Sequence, residues 1–308
     1  MNTKFHDLII LNRPDRIQVP IDDSKDYTII PKIGEYVYKA SPIAHTKGDI
    51  KEEVYAPLSG KYIETSTVGN YKYLEIENDY KEMNEKLRGT NKFLDHIPYE
   101  EFLDKLKMSG ISDKNISIYT KYENSSKKSL LIDCLDNCIF YEKFIIENHL
   151  EELLEMIDAI YEINKLSNCI FVINKKDKKL KRLLEQRIGT YLNFKILPIS
   201  ERKKANKVSI IAKKLKITEQ DVIQEKIRII LAMENLFKYN VPFIEKHVII
   251  INGKENIPVK VKIGTKVSYV LSSLGINTNK YTLKTCDIDI NIENQDIIID
   301  SNVNEIII

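Results

Sequence analysis

Thiols, imidazoles and clustered carboxylates are the side chains that could ligate a metal or carry nucleophilic or acid–base chemistry, so their spacing bounds what this chain can do. The cysteines are Cys134, Cys138, Cys169 and Cys286. Only the first two are close in sequence and no histidine lies beside them, so the set lacks the paired framework of a zinc site. Reduced thiols in or near the core are expected, because a free cysteine packs as a small hydrophobe. The histidines, His6, His45, His96, His149 and His247, fall on different predicted elements, with no HExxH or Ser/His/Asp pattern. His45, in a predicted N-terminal hairpin, is expected to be the most exposed. Asp287, Asp289, Glu293 and Asp296 could suggest a calcium loop. Their alternation with Ile288, Ile290 and Ile292 fits a strand with a polar outer face better. None of these residues is assigned a catalytic, cofactor-binding or metal-ligating role.

The chain that must position any site has 308 residues, 43% hydrophobic and 30% charged, enough for two or three small modules with real cores. Lys+Arg number 47 against 45 Asp+Glu, so a net charge of +2 gives no global argument for nucleic acid or membrane. Residues 174–216 are the local exception, with 15 basic and 3 acidic side chains. Lys175, Lys178, Lys179, Lys181 and Arg182 interleave with an apolar stripe, as the solvated side of an amphipathic helix should. No nucleic-acid partner is inferred. No apolar run approaches the roughly 20 residues that cross a bilayer. Asp7, Arg13, Asp15 and Arg16 interrupt what would be a signal core, so a cytoplasmic protein without a membrane span is expected.

The pattern of elements divides the chain into β, then α/β, then small α+β. Short runs of β-formers between turn residues fill 20–78: Tyr27 to Pro31, Gly34 to Val37, Ser41 to Ala44, Val54 to Pro57, Ser59 to Ile63 and Tyr71 to Glu77. A connector over 79–106 carries Phe102, Leu103 and Leu106 at helical spacing after Pro98. Over 107–240, predicted strands Ser129 to Asp133, Cys169 to Asn174 and Phe194 to Ile199 alternate with helices, two of them over 205–215 and 219–239, which implies an α/β layer. From 241 to 308 come strands Ile244 to Ile251, Val259 to Ile263, Tyr281 to Thr285 and Asp296 to Asp300. A turn at Asn252-Gly253 and a short helix near Val267 to Leu274 complete that module.

Certain segments resemble a known family. Ile33-Gly34-Glu35-Tyr36-Val37-Tyr38-Lys39-Ala40-Ser41-Pro42-Ile43-Ala44, followed by Val54 to Lys61, has the cadence of a barrel-sandwich hybrid, the fold of lipoyl and biotinyl domains. A swinging-arm carrier would need lysine at the hairpin tip; Asp49 follows Gly48 there, and Lys47 and Lys51 are offset. Leu236 to Ile250 resembles the passage from the flavin domain of RnfC-like proteins into an SLBB module, and Ile263-Gly264-Thr265-Lys266-Val267-Ser268 resembles the turn that starts the SLBB helix. These proteins are subunits of ion-translocating ferredoxin:NAD oxidoreductases. The complex I flavoprotein, PrdC and the cobalamin reductase PduS are relatives. The resemblance covers nearly the whole chain and implies 1–78 as a barrel-sandwich hybrid, 79–106 as a connector, 107–240 as an α/β domain like the FMN/NADH-binding core and 241–308 as an SLBB module.

The departures carry the functional expectation. The family's glycine-rich loop GxGGAGFPTxxK lets backbone amides reach the flavin phosphate. Its counterpart here is Ser109-Gly110-Ile111-Ser112-Asp113-Lys114-Asn115-Ile116-Ser117-Ile118-Tyr119-Thr120, with one glycine and with Asp113 expected to repel a phosphate. The NGAECEP element is replaced by Asp133-Cys134-Leu135-Asp136-Asn137-Cys138-Ile139, and GGEKQL by Lys204-Ala205-Asn206-Lys207-Val208-Ser209. No CxxCxxCxxxCP run exists for 4Fe-4S clusters. The chain ends at Ile306-Ile307-Ile308, resembling the strand ahead of the family's cluster domain. FMN, NADH and 4Fe-4S binding are therefore expected to be lost, so that the chain is not an enzyme by itself. The resemblance then implies an RnfC/PrdC-like accessory subunit that docks protein partners of a redox or reductase complex and reaches a membrane only through them. An anaerobe's amino-acid reductase system, such as proline reduction, is one setting. The alternatives are a flavin-binding subunit of the NADH dehydrogenase type and a stand-alone SLBB ligand-binding protein.

Overall fold

The computed structural model describes residues 4–11, 13–22, 25–48, 52–68, 71–85, 94, 97–113, 116–123, 127–135, 138–200, 207–285 and 289–308. Two short strands, β1 (Lys4–Phe5) and β2 (Ile9–Leu11), begin the chain. They run parallel to a strand of the C-terminal sheet, with Lys4 opposite Glu255 and Ile9 opposite Val259. Sequence grouped these residues with the first module. Their pairing partner lies at the far end of the chain, where local periodicity carries no information about it.

Among the described residues, the first module holds the strands β3 (Arg16–Asp22), β4 (Tyr27–Ile29), β5 (Tyr36–Val37), β6 (Pro42–Thr46), β7 (Glu53–Tyr55), β8 (Gly60–Val68) and β9 (Tyr71–Asn78). They form two sheets, ordered β3-β9-β8-β5 and β4-β6-β7. Ile17, Val19 and Ile21 alternate along β3 and meet Leu74, Ile76, Ile43, Ala56 and Leu58 in one core, the period of two placing them on one face. Strand β8 comes so close to β9 that a Cβ on Gly60 would lie 1.9 Å from the Glu77 carbonyl oxygen. Gly60→Ala is therefore expected to cost about 3 kcal/mol, as overpacking against backbone does, read from the midpoint of urea unfolding.

Helix α1 (Tyr99–Lys107) starts after Pro98 and buries Phe102, Leu103 and Leu106, as their spacing predicts. A small hairpin, β10 (Ser112–Asp113) with β11 (Ile116–Ser117), and helix α2 (Ile118–Tyr122) lead into the α/β layer. All six residues of β12 (Ser129–Cys134) are buried, the signature of a strand covered on both faces. Helix α3 (Ile139–Ile163), β13 (Asn168–Asn174), α4 (Lys178–Ile188), β14 (Phe194–Ile199), α5 (Lys207–Leu215), β15 (Val222–Lys226) and α6 (Ile227–Tyr239) follow. The four strands are parallel and ordered β14-β13-β12-β15, so the direction of winding reverses between β12 and β15. The helix expected over 219–239 is corrected: Val222–Lys226 is a strand beside β12, and only Ile227–Tyr239 is helical. Burial on both faces of β15 removes the alternation that would have marked it.

The C-terminal module contains β16 (Glu245–Asn252), β17 (Glu255–Lys262), α7 (Val267–Ser273), β18 (Lys280–Thr285), β19 (Asp289–Glu293) and β20 (Val303–Ile307). Its sheet runs β1-β17-β16-β20-β18-β19, with β2 also on β17. The strand expected over Asp296 to Asp300 is absent, leaving a single bridge from Ile298 to Lys266. Asp296 instead caps α7, accepting from the Ser268 amide at 3.1 Å and its hydroxyl at 2.7 Å. The first and last modules are pinned together by buried Lys262, whose ammonium donates to the Pro57 carbonyl at 2.9 Å and pairs with Glu82 at 3.0 Å. Among the described residues no helix is long and apolar enough to cross a membrane.

Candidate functional site

In an open parallel sheet the ligand crevice lies beyond the carboxyl ends of the strands, where the winding reverses. Here that place is between the ends of β12 and β15. The helix that follows the first strand normally offers its first amides, and the positive end of its dipole, to a phosphate. Helix α3 does follow β12, but its amides are already used. The N–H groups of Phe140 and Tyr141 both donate to Glu305 Oε1, at 2.7 and 2.9 Å. Glu305 belongs to β20 and is 1% exposed. Burial pushes its carboxyl up from the ordinary value, while the two amides and Lys284 pull the other way. Beside this contact the Cys138 thiol donates to the Thr285 carbonyl at 3.3 Å, a second link from the start of α3 to the C-terminal module.

The second feature of the crevice is a knot of charge around Asp113. Its carboxylate lies 2.7 Å from Arg228 Nη2, 3.3 Å from Lys226 Nζ and 3.3 Å from Lys121 Nζ. Burial works to raise the Asp113 pKa, but the three cations outweigh it and hold the carboxyl below its usual range. Lys121 also reaches Glu225, at 3.3 Å. Glu225 is fully buried, and burial pushes its carboxyl up against the pull of Lys121. Asp113, expected to repel a phosphate, is the counter-ion of three cations in this crevice. Sequence reasoning missed Lys121, Lys226 and Arg228, which are separated in the chain; Lys226 and Arg228 flank the strand-to-helix junction that was read as continuous helix.

The remaining candidates are placed as follows. Cys134, Cys138 and Cys169 are buried thiols outside any disulfide among the described residues, and Cys286 lies outside the described residues. His45 is half-buried, its Nδ1 at 3.1 Å from the Thr46 carbonyl, so it is not a prominent surface group. His149 and His247, expected on unrelated elements, are brought together with ring centroids 5.3 Å apart. His96, Asp49, Lys51, Asp287 and Lys204 lie outside the described residues. Asp289 and Glu293 are on the exposed side of β19, and Lys47 pairs with Asp26 at 3.1 Å. On α4, Leu184 and Ile188 are buried while Lys178, Lys179, Lys181 and Arg182 are exposed, the amphipathic arrangement expected of that basic run.

The first amides of α3 thus hold Glu305, and the cations of the crevice hold Asp113. No family model and no curated protein matches the chain. Among solved structures, an NAD+-reducing NiFe-hydrogenase in the H2-reduced state is similar with a TM-score of 0.47 and 9% identity, covering 66% of this chain and 46% of that one. The same type of hydrogenase in the air-oxidized state gives a TM-score of 0.47 and 9% identity, covering 71% of this chain and 52% of that one. The chain thus spans about half the length of these structures.

Proposed function

We propose that this chain is a non-catalytic, cytoplasmic subunit of an electron-transfer or reductase complex, of RnfC/PrdC-like type, which binds neither FMN nor NADH. The observation that carries the reading is the Glu305 carboxylate on the first amides of α3, where a cofactor phosphate would sit. The resemblance of Ile33 to Ala44, Leu236 to Ile250 and Ile263 to Ser268 to segments of redox subunits supports the setting. A chain that fills its own phosphate seats keeps the rigid scaffold and gives up the chemistry. Its contribution is then surface, shape and the spacing of partners.

The test is to tag the chain in its native host, purify it anaerobically, identify by mass spectrometry what accompanies it, and record its visible spectrum. The expected result is a colourless chain together with stoichiometric flavin or iron–sulfur proteins. A chain that purifies alone would overturn the subunit reading. A chain that stays yellow after its partners are removed would overturn the non-catalytic one.

A further inference from the structure

Independently of the reading above, the first module leaves an apolar face uncovered at its β5 edge. The sheet β3-β9-β8-β5 ends at this strand, which turns Val37 into the core and Tyr36 outward. Tyr36 and Tyr38 lie two residues apart, with their rings 5.1 Å from each other and edge to face. Lys39 bridges Asn84 in parallel and its amide donates to the Met83 carbonyl at 2.8 Å, so Met83 stands on the same side as Tyr38. Tyr36, Tyr38 and Met83 are each 40% or more exposed, and Ile33, in the turn that leads into β5, is 76% exposed. Large apolar side chains gathered on one exposed face mark an interaction site.

The segment that carries Met83 is held in place. Tyr80 and Glu82 both take positive φ, 59° and 53°, which residues other than glycine adopt where the surroundings impose it. Glu82 is anchored by Lys39 at 2.8 Å and by Lys262 at 3.0 Å. The charges at the two ends of the patch decide what fits it. Lys61, on β8, lies directly opposite Tyr36 and on the same face. Glu85, whose amide donates to the Lys39 carbonyl at 2.8 Å, closes the other end beyond Met83. Both are exposed, and neither has an ion pair among the described residues. The other charges nearby come in neighbouring pairs of opposite sign: Glu35 accepts the Lys32 amide at 2.8 Å, Asp79 accepts the Lys81 amide at 3.0 Å, and Glu77 pairs with Arg16 at 3.1 Å.

We propose that this patch is the interface between two copies of the chain, with Ile33, Tyr36, Tyr38 and Met83 packed across a two-fold axis and each copy's Lys61 meeting the partner's Glu85. A row that runs from a cation through apolar side chains to a carboxylate matches itself after a half-turn, which is what a two-fold interface requires. A uniformly basic or acidic partner has no such match, because it satisfies one end of the row and repels the other. Strand addition is not the mode of contact, since β5 offers only two residues of backbone edge.

Sedimentation equilibrium of the purified full chain, with the Tm of the dilute monomer measured beside it, tests this. The wild type is expected to exchange between monomer and dimer, and Tyr38→Ala to weaken the dimer at least about tenfold while leaving that Tm unchanged. Lys61→Glu and Glu85→Lys should each weaken it at least about threefold, because every contact occurs twice across a two-fold axis. Mixed in equal amounts, these two charge variants should associate with each other about as tightly as the wild type does with itself, since the mixed pair restores both contacts. A wild type that stays monomeric up to roughly 0.1 mM overturns the proposal. So does a dimer that Tyr38→Ala leaves intact, or a mixture of the charge variants that associates no better than either alone.

Discussion

Glu305→Ala is expected to lower stability by about 3 kcal/mol and, in the same protein, to create a phosphate-responsive site. Truncation leaves the buried amides of Phe140 and Tyr141 without an acceptor, and each such group costs about 1–3 kcal/mol. It also uncovers the positive end of α3, a site suited to an anion. Inorganic phosphate should therefore raise the variant's Tm while leaving the wild type nearly unchanged. Glu305→Gln keeps a carbonyl oxygen for both amides and should cost less than about 1 kcal/mol, with no response to phosphate. Urea unfolding and thermal shift with and without phosphate give both readouts. Equal phosphate responses in wild type and Glu305→Ala would mean that this carboxylate does not guard the helix terminus.

Asp113→Ala should be the more damaging change, at about 3–5 kcal/mol, because three cations lose a common partner in a confined place. Arg228 and Lys226 are 3% and 10% exposed at the side chain, so water cannot replace the lost carboxylate. The effect should depend on pH with a definite sign. Asp113 has a depressed pKa in the folded state, so its contribution is fully present above the unfolded carboxylate pKa of about 4 and fades as pH falls through the folded value. The difference in stability between wild type and Asp113→Ala is thus expected to be large at neutral pH and to shrink in acid. Glu225, with a raised pKa, drives stability the other way on acidification, so the difference between the two proteins is the quantity to measure.

The parts of the fold legible in the sequence are those where one face is wet. Helix α4 showed its apolar stripe because its other face is lysine, and the strands of the first module showed through the turn residues between them. The strand β15 was not legible. Val222–Lys226 holds only two apolar residues, followed by Gln224, Glu225 and Lys226, so it shows no alternation, and no turn residue separates it from the helix it feeds. That single miss hid the site, since Lys226 and Arg228 bracket this junction and close on Asp113. Glu305 could have been flagged: a carboxylate in the isoleucine-rich run Val303 to Ile308 needs a buried partner. Which partner it finds is a tertiary fact, because the α3 amides lie far away in the chain. The pairing of β1 and β2 with β17, and the meeting of His149 with His247, are unreadable for the same reason.

The most direct test of the proposal that Glu305 occupies a cofactor's phosphate position is titration of FMN with purified wild-type chain and with Glu305→Ala, following flavin fluorescence and equilibrium dialysis. If the chain's own carboxylates occupy the phosphate positions, wild type leaves the flavin free at every protein concentration, and any retention appears only in the variant. Stoichiometric retention of FMN by the wild type would contradict this and return the chain to the flavoproteins.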